Sequence, residues 1–278
     1  MTIEKTSPVD AGPLSLSARP AAPRLSLLRR WWPPGLTIAG AVGLWWLATA
    51  VLASPQSLLR QTAPARVVAA LDELYNRGVL LADTGVSLWR LVIGLLIAAV
   101  IGIPAGLLVG LNDTADRATR PIVQFLRMIS PLSWAPISVA LFGIGNEPVI
   151  FLIAVAAVWP ILINTSAGVH AVDPGYLQVA RSFGANTREL LTVVILPAIR
   201  GHLQTGLRVA LGIAWVVLVP AEMLGVRSGL GYQILNARDQ LAYGQVVAVI
   251  VVIGVVGYLL DLAARRLLSG PRGERAAA

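Results

Sequence analysis

Apolar stretches long enough to cross roughly 30 Å of hydrocarbon, at about 20 helical residues each, divide the chain into six candidate spans. They cover residues 36–53, 86–111, 119–142, 148–169, 203–225 and 245–264. The third is interrupted by Arg127, Ser130, Pro131, Ser133 and Pro136, a pattern that predicts a kinked or broken helix. Ahead of the first span, Pro8, Pro13, Pro20, Pro23, Pro33 and Pro34 punctuate a Ser- and Arg-rich segment. That segment predicts a disordered tail and shows no cleavable signal-peptide pattern. The fold class expected is all-α and polytopic, with a tail over 1–35, a transmembrane unit over 36–265 and a second tail over 266–278.

Among the connections, 170–202 carries the most local structure. Asp173 followed by Pro174 is a helix start, a capping carboxylate before proline at the first helical position. Tyr176, Val179, Ala180 and Phe183 then recur at helical spacing and form one apolar stripe. Gly184 is placed to end that helix in the left-handed conformation. Asn186 with Glu189 three residues on predicts a capping box for a second helix, which reaches a proline bend at Leu196-Pro197. Two short amphipathic helices are therefore expected. They either lie flat in the lipid interface or dock a soluble partner.

Composition supports a membrane solvent. Hydrophobic residues make up 56% of the chain and charged residues 13%, where a soluble domain carries roughly a quarter charged. With no cysteine, disulfides, thiolate nucleophiles and cysteine metal sites are excluded. His170 and His202 leave little scope for a metal centre. The net charge of +8 first suggests nucleic acid, but its distribution argues otherwise. Six crossings put both termini on one side. That side holds Lys5, Arg19, Arg24, Arg29 and Arg30, then Arg117 and Arg120, then Arg181, Arg188 and Arg200, then Arg265, Arg266, Arg272 and Arg275. The opposite side holds only Arg60, Arg66, Arg77, Arg227 and Arg238. The bias predicts cytoplasmic termini and a long cytoplasmic 170–202 loop, and the +8 becomes an orientation signal without a basic, aromatic-laced patch for nucleic acid.

Gln178-Val179-Ala180, Gly184, Val194, Leu196 and Pro197 resemble the EAA loop of binding-protein-dependent ABC importer permeases, with departures at Gln178, Val179 and Val194. The resemblance extends over roughly residues 83–265 through SLWR (87–90), SPLSWAPI (130–137), WPILINT (159–165), DPGYLQVARSFGA (173–185), GLRVALGIAW (206–215), AEML (221–224) and GLGY (229–232). It points to the nitrate, bicarbonate, sulfonate and taurine branch. The resemblance implies a type I importer fold in the bacterial inner membrane, a homodimer of this chain, cytoplasmic ABC ATPase subunits and an external solute-binding protein. It also implies that Tyr176, Gln178, Val179, Ala180, Arg181, Phe183, Gly184 and Ala185 form the coupling element that meets the ATPase. The chain has no G-x-x-x-x-G-K-[ST] phosphate loop, so ATP and Mg are expected in the partner and no cofactor here.

Polar groups within the spans ask for a reason, because each is costly in lipid. Arg127 offers a planar oxyanion donor to a passing anion, or snorkels to headgroups. Ser130, Ser133 and Trp134 on the broken third span, with Asn164 and Thr165 on the fourth, are candidates for a translocation path or for repairing backbone freed by proline. Glu222 is a path carboxylate or a structural one near the outer boundary. Gly102, Gly106 and Gly110 form a stripe that admits a neighbouring helix closely. No nucleophile and base pattern occurs, so the chain is expected to be a transporter subunit and not an enzyme. A self-sufficient secondary transporter or channel is the alternative, although it asks for a coupling-ion relay that Glu222 alone scarcely supplies. A membrane scaffold is a third possibility.

Overall fold

The computed structural model describes residues 26–54 and 57–268, which are mainly helical and contain no strand. Helix α1 (Ser26–Trp46) runs on as a wide π-helical turn at Leu47–Val51 and begins ahead of the predicted boundary at 36. Residues 1–25 of the predicted N-terminal tail and 269–278 of the C-terminal one lie outside the described residues. The predicted loop over 54–85 is largely helical. A 3-10 turn at Leu58–Thr62 leads into α2 (Pro64–Asn76), which opens on proline as its first residue, and then into α3 (Val79–Leu111). The span reaches back past 86 because Asp83, the residue that ends the apolar window, is buried and hydrogen-bonded inside the protein.

Asn112 caps α4 (Asp113–Met128), its Oδ1 accepting from the backbone N–H groups of Thr114 and Ala115 at 2.9 and 3.2 Å. The predicted break follows. Proline disfavours the helical region for the residue before it, and Ser130, ahead of Pro131, is extended at φ −57° and ψ 129°. A 3-10 turn at Pro131–Trp134 then feeds α5 (Ala135–Phe142), and the two arms meet at 87°. Helix α6 (Asn146–His170) follows. The segment beyond it contains α7 (Pro174–Ser182), α8 (Thr187–Glu189), a π-helical stretch at Leu190–Ile195 and α9 (Leu196–Ala198). The helical path continues through Pro197 and is interrupted at Ile199, slightly later than the proline rule suggests, because the wider preceding turns take up the missing N–H. Helices α10 (Arg200–Gly225), α11 (Leu230–Asp239) and α12 (Tyr243–Leu268) complete the described chain.

Small residues set the geometry of the bundle. A Cβ on Gly94 would come within 2.5 Å of Ile153, on Gly102 within 3.0 Å of Ile161, on Gly106 within 2.6 Å of Thr165 and on Gly110 within 2.7 Å of Val169. The predicted glycine stripe thus holds α3 against α6, and the ascending pairs show that the two helices run parallel. The bent α4 and α5 pair must therefore return the chain to the end where α3 starts. Gly206 lies against Asn164 and Gly168 against His202, so α10 runs antiparallel to α6.

Leu91, Ala98, Ile153, Ala157, Ile161, Ala214 and Leu218 fill the core between α3, α6 and α10. A second cluster joins α2, α11 and α12 through Val67, Leu74, Leu230 and Val249. Val100, Leu108, Val216, Ile250 and Val255 face outward, the arrangement expected of helices solvated by lipid or a neighbouring chain. Helices α3, α6, α10 and α12 are each long and apolar enough to cross a membrane, and the bent pair α4 and α5 passes the same test when its two arms are taken together as one broken span. The apolar part of α1, Gly35–Val51, is shorter.

Candidate functional site

Between α6 and α10 the chain builds a compact, capped element. Asp173 Oδ1 accepts from the N–H of Gly175 at 2.7 Å and starts α7. Gly184 ends it at φ +81°, with its N–H donating to Arg181 O at 2.9 Å and that of Ala185 to Ala180 O at 3.1 Å. These two bonds form a Schellman motif. The expected capping box is present: the N–H of Asn186 donates to Glu189 Oε2 at 2.8 Å, and that of Glu189 to Asn186 Oδ1 at 2.9 Å. Leu177 packs inward on Val169, Ile195 and Ile199. Tyr176, Val179 and Phe183 point the other way, Phe183 being 89% exposed, while Ala180 and Ala185 are half-buried. Gln178 and Arg181 are exposed beside the stripe. Both helix ends are fixed, and an apolar face is left without cover among the described residues.

The translocation candidates separate into three places. Arg127 and Asn164 come together on a groove of about 490 Å³, lined also by Met128, Trp159, Val209 and Ile213. Arg127 is exposed and makes no hydrogen bond or ion pair among the described residues. It borders a second cavity of about 270 Å³ with Asp116, Arg120 and His170. Asn164 Nδ2 donates to Pro160 O at 2.8 Å. Ser130 and Ser133 are exposed at the break beside the groove, and Trp134 packs against the main core. Thr165 is elsewhere, fully buried in the seam between α3 and α6 with its hydroxyl donating to Ile161 O at 2.7 Å.

Glu222 lies in a buried polar knot at the predicted outer end. Arg90 Nη1 donates to Glu222 Oε1 at 2.7 Å, with Arg90 1% exposed and Glu222 0%. The guanidinium also reaches Asn146 Oδ1 at 2.8 Å, Ser228 O at 2.8 Å and Ser228 Oγ at 2.7 Å. Three successive backbone N–H groups at the start of α11 find side-chain acceptors from other helices: Gly229 on Asp83 at 2.7 Å, Leu230 on Ser87 at 2.9 Å and Gly231 on Glu222 at 2.9 Å. Ser87 in turn donates to Glu222 at 2.8 Å. The carboxylates thus offset the positive pole of α11 as well as the guanidinium. Glycine is required at two positions, since a Cβ on Gly229 would sit 2.3 Å from Glu222 Oε1 and one on Gly231 2.3 Å from Val219 O.

Of this knot, the sequence marks Glu222, while Asp83, Ser87, Arg90, Asn146 and Ser228 gain their roles only from the fold. The available signal was the i, i+4, i+7 spacing of Asp83, Ser87 and Arg90 on one face of a span. No group of three or more His, Cys, Asp or Glu residues among the described residues could hold a metal ion.

Residues 89–272 match the family of binding-protein-dependent transport system inner membrane components. The chain belongs to this family. Among relatives, the bicarbonate transport system permease protein CmpB of Synechococcus elongatus is 42% identical over 64% of this chain and 65% of its own length. The taurine transport system permease protein TauC of Escherichia coli is 35% identical over 83% of this chain and 85% of its own. The methionine ABC transporter MetNI in an inward-facing conformation shares the fold at 22% identity, with a TM-score of 0.58 over 66% of this chain and 91% of that one. The expected all-α permease fold and the expected family are therefore both established. This inner membrane component is a multi-pass membrane protein of the permease class.

Proposed function

We propose that the chain is the membrane-spanning subunit of an ATP-driven importer for a small anion such as nitrate, bicarbonate or a sulfonate. Two copies would assemble with cytoplasmic ABC ATPase subunits and receive substrate from a solute-binding protein. A cytoplasmic 170–202 loop is supported by the charge bias along the sequence. The observation that carries the reading is the apolar face of α7. A stripe of Tyr176, Val179 and Phe183, held in place by caps at both helix ends and left open, suits a rigid key for a soluble partner. Its second half leads through α9 directly into α10, the helix that lines the groove with Val209 and Ile213. Movement imposed on α7 would thus reach the groove through packed helices.

The anion assignment draws on the bicarbonate and taurine permeases among the relatives and on Arg127 at the groove, a guanidinium without a partner among the described residues. ATP and Mg would be held by the partner subunits. Gly184→Asp introduces a charge and a side chain at φ +81° beside the docking face. In the reconstituted complex it should leave the permease folded and abolish ATP-coupled uptake, and normal coupling would remove the assigned role of this loop. The substrate class is tested by calorimetry on the partner binding protein with nitrate, bicarbonate, taurine and alkanesulfonates. Binding of a cationic ligand alone would overturn the anion assignment.

A further inference from the structure

The knot around Glu222 joins α3 and the first residue of α6 to the end of α10 and the start of α11, two consecutive helices linked only by residues 226–229. Every acceptor oxygen of Glu222 and Asp83 is used, and the Arg90 guanidinium reaches α6 through Asn146 and the 226–229 connection through Ser228. Gly229 and Gly231 let backbone approach Glu222 and Val219 more closely than any side chain permits. Opening this arrangement would strand an arginine and two carboxylates in an apolar surround, so the contact is suited to staying closed.

From this we infer that Asp83, Ser87, Arg90 and Glu222 are positioning residues that make α11 travel as one rigid body with α3 and α10 throughout transport. The inference rests on the importer reading. Helix α10 begins next to the capped α7–α9 element and ends in the knot, so one lever links the ATPase-facing face to α11. A docking event sensed at α11 at the outer end reaches the groove and the coupling element along the same helix, without a change in the knot itself.

Two variants test this in the full complex with its ATPase and loaded binding protein. Ser87→Ala removes the link from α3 to both Glu222 and the Leu230 N–H while leaving the Arg90–Glu222 pair in place. It should leave assembly and basal ATPase activity near wild type while binding-protein stimulation falls about tenfold. A parallel loss of assembly, basal activity and uptake would mark a merely structural role, and unchanged stimulation would likewise overturn the inference. The second variant exploits the absence of native cysteine. Gln233 Nε2 donates to Asp83 Oδ2 at 2.6 Å, so Asp83→Cys with Gln233→Cys places two thiols within reach of a short bismethanethiosulfonate.

Linking them should restore uptake relative to the unlinked pair. A drop in uptake on linking, or failure to cross-link, would show that the elements part. Absence of ATP-dependent uptake in the wild-type complex would instead count against the importer reading.

Discussion

Arg90 and Glu222 stand 132 residues apart in sequence and meet at 2.7 Å with both side chains sealed from solvent. A buried pair of this kind costs far more to halve than to remove, because a lone charge remains unsolvated. Glu222→Ala should therefore destabilise the purified protein by about 3–5 kcal/mol. Pairing Arg90→Leu with Glu222→Leu should recover much of that loss. Thermal unfolding in detergent followed by tryptophan fluorescence checks the ordering, and a double variant less stable than either single one would contradict it.

The seam between α3 and α6 depends on missing side chains. A Cβ on Gly106 falls 2.6 Å from both Leu162 O and Thr165 Cβ, whereas one on Gly254 meets nothing within 4 Å. Gly106→Ala should cost about 1–3 kcal/mol through overpacking. Gly254→Ala should be neutral or stabilise by up to about 1 kcal/mol. Melting temperatures of the two variants should move apart.

Phe183 is a surface residue whose loss leaves the interior intact. Phe183→Ser should leave the melting temperature unchanged while lowering recovery of the ATPase with the permease by at least about tenfold. Equal recovery would place the partner elsewhere. By contrast, Asn186→Ala removes a cap worth about 0.5–2 kcal/mol, and faster amide hydrogen exchange should appear over residues 187–195.

The Arg127 side chain has no partner among the described residues, so Arg127→Gln should not change stability. Uptake should weaken for an anionic substrate, with ligand binding by the solute-binding protein unaffected. Transport by the variant at the wild-type rate would leave the groove without its proposed role.

Much of this architecture could be read from the residues because the signals are local. The Asn186 and Glu189 capping box, the left-handed Gly184 and the Pro131 break each follow from interactions within a few residues. The glycine stripe implied a close neighbour without saying which one, and α6 supplies it. The knot escaped because its members come from four separated segments and each has an unremarkable explanation alone. In sequence, Arg90 is one more arginine near the start of the 86–111 span. Asp83 looked like the limit of a loop, because an apolar window counts charge without knowing that the charge is satisfied by Gly229 and Gln233. Thr165 illustrates the converse, a polar residue on a span whose hydroxyl satisfies its own helix.

The proposed importer works only as part of an ATP-driven assembly. Proteoliposomes containing the chain, alone or with its ATPase and binding protein, distinguish the cases through uptake of the radiolabelled ligand of that binding protein. Uptake is expected only when ATP, the ATPase and the binding protein are all present, and none by the chain alone under any ion gradient. Gradient-driven uptake by the chain alone would contradict this expectation and establish a secondary transporter or channel instead.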